Sequence, residues 1–127
     1  MKGLLAAAAI LCALLAGSLF NAQYLSGLTG ALSEDLSQAQ RLVEEEENWA
    51  RAREFTRRAY QLWQDRHTYL HCTLRHADTD LILRSFRGVQ EYLELEELDQ
   101  YVSANADLVT QLQLLAELEQ PTLVNVL

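Results

Sequence analysis

The rhythm of apolar and polar positions changes sharply along this chain. Residues 3–20 show no alternation: eighteen residues without a charge, dominated by Leu and Ala. A helix of that length spans about 27 Å at 1.5 Å per residue, close to the hydrocarbon thickness of a bilayer. From Leu32 onward the apolar residues recur every three or four positions, the mark of helices that bury one face. Leu32, Leu36, Ala39 and Val43 form the first such face, either on a new helix capped by Ser33 or on a continuation of the apolar one. Asn48 is the next predicted N-cap, before a helix carrying Trp49, Ala52, Phe55, Ala59 and Leu62 and prolonged by Trp63, Tyr69, Leu70 and Leu74. After a polar break at residues 76–80, Asp78 or Thr79 would cap a helix bearing Leu81, Ile82, Phe86, Val89, Tyr92 and Leu93. Residues 94–99 read as a turn. A last helix follows with Leu98, Val102, Asn105, Leu108, Leu112 and Leu115 on its face, and Pro121 stops it.

Breaker residues agree with this pattern. Four of the five glycines precede residue 31, which leaves Gly88 and Pro121 as the only glycine and proline after it. Sheets need many turns, and turns need such residues. The chain is therefore predicted to be all-α: a transmembrane or signal-anchor helix over residues 1–24, then an antiparallel bundle of about four helices over residues 25–127. Gly88 would weaken its helix by about 1 kcal/mol and would permit a close helix approach.

Charge divides the chain at the same place. Acids outnumber bases by 18 to 10, for a net charge of −8, yet the first 33 residues carry only Lys2. The remainder holds all 18 acids against nine arginines, a net −9. An acidic surface of this kind excludes nucleic-acid binding, which needs cations to neutralise phosphates. A lone lysine before the apolar run places the N-terminus in the cytoplasm and the bundle outside, with Phe20 and Tyr24 at the interface. The alternative is a secreted protein, cleaved after Ser18 at Ala16-Gly17-Ser18. Cys12 lies in the apolar run and Cys72 in the acidic part, so the two do not form an intrachain disulfide. The core must hold the domain together.

Candidate chemistry is sparse. His67 and His71 are one helical turn apart, as are Cys72 and His76, and Asp78 or Asp80 would complete a metal shell. The second pair sits about 100° round the helix from the first, so the four cannot converge without a bend. A polar helix surface is the expected outcome, with no bound metal and no cofactor. Residues 44–47 are four consecutive glutamates, which reach every face of a helix instead of meeting in a cleft; they are expected to be a solvated helix end. Trp49, Phe55, Trp63 and Tyr69 are expected in the core. Arg51, Arg53, Arg57 and Arg58 are expected to pair with neighbouring acids, through Glu47/Arg51 and Glu54/Arg58. No nucleophile signature or phosphate loop is present. The apolar end at residues 123–127 must dock, on the bundle itself or on a partner.

The order of these features resembles a known family. Asn48-Trp49-x-x-Ala52 opens a helix, and Trp63 follows fourteen residues after Trp49. His76-x-Asp78-x-Asp80 precedes the next helix, then come Tyr92-Leu93 and the ending Pro121-Thr122-Leu123-Val124-Asn125-Val126-Leu127. The chain resembles the domain of unknown function 4363 family, small bacterial proteins with one membrane helix and an exported helical domain. The resemblance implies a location and a fold, not an activity. It also implies an accessory-subunit role, since relatives are often encoded beside multi-pass membrane proteins. The expected function is that of a non-enzymatic, membrane-tethered, extracytoplasmic interaction module whose partner is another membrane protein or a second copy of itself. The alternative expectation is an exported metal- or ligand-sensing module built on His67, His71 and His76.

Overall fold

The computed structural model describes residues 1–66, 69 and 76–118. These form four helices: α1 (Lys2–Glu46), α2 (Trp49–Asp65), α3 (His76–Leu95) and α4 (Leu98–Leu118), with no strand among the described residues. Two-residue connections join α1 to α2 and α3 to α4, so each pair is antiparallel. α1 packs on α2 and α4, α3 packs on α4 and α2, and the seam between α2 and α3 is the thinnest. The result is the predicted antiparallel four-helix bundle.

The apolar run and the first amphipathic stretch are one helix. α1 continues for 45 residues, so Ser33 lies mid-helix and caps nothing. Its hydroxyl is buried and has no hydrogen-bond partner among the described residues. A cap there would have left the first backbone N–H groups of a new helix to be satisfied by side chains, whereas continuation bonds them all within the helix. The two ends of α1 have unlike surroundings. Met1 to Gly17 are exposed throughout, and the first buried side chain is Ala22.

Buried positions on the four helices follow one rule. On α1 the seam runs through Ala22, Leu25, Thr29, Leu32, Leu36, Ala39 and Val43, alternating steps of three and four, with Leu28 and Leu42 also buried beside it. Ala52, Thr56, Ala59 and Trp63 on α2 keep the same alternation, as do Thr79, Ile82, Phe86, Val89 and Leu93 on α3 and Tyr101, Asn105, Leu108, Leu112 and Leu115 on α4. A mean spacing of 3.5 is the heptad seam, which keeps one stripe facing the bundle axis if the helices supercoil slightly left-handed. With the tight turns fixing register, side chains meet in layers. Val43, Ala52, Leu93 and Tyr101 form one layer, Ala39, Thr56, Val89 and Asn105 the next, then Leu36, Ala59, Phe86 and Leu108. The Asn105 amide donating to Leu36 O (3.1 Å) and the Ser85 hydroxyl donating to Gln111 (2.7 Å) agree with this register.

Most expected face positions are buried: Leu32, Leu36, Ala39 and Val43 on α1, Ala52, Ala59 and Trp63 on α2, Ile82, Phe86, Val89 and Leu93 on α3, and Asn105, Leu108, Leu112 and Leu115 on α4; the misses lie one residue beside the seam. Thr56 is buried between the expected Ala52 and Ala59, whereas Phe55 and Leu62 are only half-buried. On α4, Tyr101 occupies the core, Val102 is half-buried and Leu98 is 46% exposed. Leu81 is likewise 45% exposed, because Thr79 and Ile82 hold the seam on either side of it. α3 begins at His76, not after Asp78 or Thr79.

The turns show how the chain reverses without glycine. Asn48 caps α2 as expected, its Oδ1 accepting from the Arg51 N–H at 3.1 Å. Before it, Glu47 stands in the left-handed region at φ 51°, and Glu96 does the same after α3 at φ 53°. The Glu96 and Glu97 N–H groups donate back to Leu93 O and Tyr92 O, closing α3 with the six-to-one and five-to-two bonds of a Schellman motif. Gly88 does not serve a close approach: a Cβ there would meet nothing within 4 Å. Gly88→Ala is therefore expected to stabilise the bundle by about 0.5–1 kcal/mol, read as a higher midpoint in thermal denaturation.

Candidate functional site

Of the three stretches singled out for chemistry, two lie among the described residues. His67, His71 and Cys72 lie outside the described residues, as does the side chain of His76 and as do Leu70, Leu74 and residues 123–127. Asp78 is half-buried in the first turn of α3 and Asp80 is exposed. Among the described residues, no three His, Cys, Asp or Glu side chains converge on a point where a metal ion could sit.

The arginines of α2 join helices together. Because α2 starts at the turn farthest from the exposed half of α1, Arg51 to Arg58 stand away from the apolar run and not beside it. Arg53 Nη1 donates to Leu93 O at 3.2 Å and lies 3.6 Å from a Glu96 oxygen. A cation thus meets one of the last carbonyls of α3, where the helix dipole favours positive charge. Arg58 reaches across to Asp35 of α1 at 3.6 Å, and Arg57 pairs with Glu54 at 2.8 Å. These contacts replace the expected Glu47/Arg51 and Glu54/Arg58 pairs. The Phe55 ring explains part of the change: the Arg51 and Arg58 guanidiniums stand 5.9 and 5.2 Å from its centre.

Residues 44–47 form the exposed C-terminal end of α1, as expected, and the turn at Glu96-Glu97 stands beside them. Glu44 to Glu47, Glu94, Glu96, Glu97 and Asp99 therefore gather at the far end of the bundle, all exposed. Shallow grooves run along the helix seams. The one between α2 and α3 is lined by Ala50, Arg53, Glu54, Arg57, Gln90 and Glu94. Another, between α3 and α4, is apolar: Leu81, Ile82, Leu114 and Leu115 with Gln111 and Asp78. Leu114, 51% exposed, falls off the seam of α4 as Leu81 falls off that of α3.

Where α1 leaves the bundle, an aromatic clasp marks the boundary. The Tyr69 hydroxyl donates to Asn21 Oδ1, and its ring lies 4.4 Å from that of Tyr24. Burial, and then the neighbouring Tyr24, push the Tyr69 hydroxyl above its ordinary pKa. From this point back to its N-terminus, α1 is uncharged except for Lys2 and is long and apolar enough to cross a membrane.

A family model described as "Domain of unknown function (DUF4363)" matches residues 19–126. The chain belongs to the DUF4363 family. No curated protein and no solved structure matches it. The match begins at Leu19, just where α1 passes from its exposed half toward its first buried residue, Ala22. The DUF4363 domain of this chain thus comprises the bundle, while most of the apolar run precedes it. The family's description names no reaction.

Proposed function

We propose that this DUF4363 protein is a non-enzymatic accessory or interaction subunit of a membrane or envelope complex. In this reading it is tethered by the first part of α1, with its N-terminus in the cytoplasm and its bundle outside. One observation carries the reading: a single helix is apolar and exposed over its first half and supplies a wall of the core over its second. Lys2 as the only charge in the first 33 residues supports the orientation. Among the described residues, most acids are exposed and eight of them gather at the far end of the bundle, which supports an interaction role. The partner is another membrane protein or a second copy of this chain, and the exposed Leu81 and Leu114 support contact at the bundle end nearest the span.

The test uses the full chain with Cys12 and Cys72 replaced by serine and the exposed Asp107 replaced by cysteine. A membrane-impermeant maleimide is expected to label intact cells, and the labelled chain is expected to stay with the membranes after alkaline washing. Labelling only after lysis would reverse the orientation, and release into the medium would establish cleavage. A photo-crosslinking residue at Leu114 is expected to give one adduct of defined mass. Crosslinking to lipid alone, or none, would count against the interaction role.

A further inference from the structure

The second core layer from the acidic turns holds two buried polar side chains, Thr56 and Asn105. Ala39, Thr56, Val89 and Asn105 are all small, whereas the layer beside it holds Leu36, Phe86 and Leu108. Asn105 is 1% exposed and Thr56 fully buried. The Asn105 amide nitrogen is satisfied, donating to Leu36 O at 3.1 Å and to Gln40 Oε1 at 2.9 Å. Its Oδ1 and the Thr56 hydroxyl have no hydrogen-bond partner among the described residues. Two buried oxygens without partners are costly, at about 1–3 kcal/mol each, and native cores satisfy such groups. The tight turn after α1 sets Thr56 across from Ala39, and the bond to Leu36 O sets Asn105 at the same height. Both oxygens thus belong to one layer, whose other members, Ala39 and Val89, bring no polar side chain to it. Buried waters typically bond polar groups of this kind that the protein itself leaves unsatisfied.

We propose that this layer is a hydration site, at which at least one ordered water donates to Asn105 Oδ1 and bonds the Thr56 hydroxyl. The water is a structural ligand of the core. It also explains how a heptad seam tolerates threonine and asparagine in one layer, since only the native register brings the two together. Oxygen-17 magnetic relaxation dispersion on the full chain in detergent micelles counts waters held for long times. The wild type is expected to show at least one such water, which the double variant Thr56→Val, Asn105→Leu loses while keeping its helicity. Should the double variant not fold, the isosteric Thr56→Val is expected to reduce the dispersion and Thr56→Ser to retain it. An equal dispersion in wild type and variant overturns the proposal. So does a crystal structure in which the Thr56 hydroxyl bonds Asn105 Oδ1 directly in a dry layer.

Discussion

Replacing Phe86 by alanine is expected to destabilise the bundle by about 3–5 kcal/mol, the usual cost of removing a fully buried phenylalanine. Phe86 is 0% exposed, and its ring meets that of Tyr60 edge-on with centres 5.6 Å apart. It also sits on the thinnest seam, between α2 and α3, where Ala59 and Ala52 offer little bulk to close a cavity. No disulfide holds the described residues together, and Cys12 is free. A domain of this size is stable by about 5–15 kcal/mol in all, so this one substitution removes a large fraction of it. Urea unfolding of the full chain in detergent, followed by circular dichroism, measures the change. Leu81→Ala on the same helix is the control: 45% exposed, it is expected to cost under about 1 kcal/mol. Equal losses for the two variants would mean that the heptad seam is not the core.

The second large effect concerns alkaline pH. Tyr101 is fully buried, and burial, followed by the negative charge of Glu44, raises its pKa well above the ordinary value of 10.0. In the unfolded chain the phenol ionises near its ordinary value, while in the folded chain it keeps its proton. The folded state therefore binds more protons above pH 10, and stability must fall as pH rises there. The contribution is fully present below pH 10 and is lost at about 1.4 kcal/mol per pH unit above it, until the folded-state value is reached. Tyr101→Phe is expected to flatten that part of the stability profile and leave the neutral region without this slope. Urea midpoints measured from pH 8 to 12 for both proteins provide the check. An unchanged slope in the variant would show that Tyr101 ionises freely in the folded protein.

The helical fold was legible because each helix carries a strong three-four alternation and the breakers are confined to a few positions. Leu32, Leu36, Ala39, Val43, Ile82, Phe86, Val89 and Leu93 were each expected in the core and are there. What misled was chemistry at single positions. Thr56 was not among the expected core positions and Tyr101 stood beside the more apolar Leu98 and Val102, yet the seam depends on register and not on the hydropathy of one residue. Asn105 was expected on that face and is buried, and a strict heptad count run back from it would have recovered Tyr101 in place of Val102. The reversals at Glu47 and Glu96 were harder to place, since a glutamate in the left-handed region has no sequence signal comparable to glycine. Cross-helix contacts such as Arg58 with Asp35 depend on which helices become neighbours, information that local spacing does not hold. The metal candidates stood on sequence spacing alone, and of them only Asp78 and Asp80 have described side chains.

The unbroken α1 also acts as a ruler. From Ala22, its first buried residue, to its end at Glu46 there are 25 residues, about 37 Å of helix at 1.5 Å per residue. If the span ends where burial begins, the acidic turns stand that far above the lipid headgroups, several times the roughly 8 Å over which salt screens charge. Anionic lipids would then neither repel nor reorient the far end of the bundle.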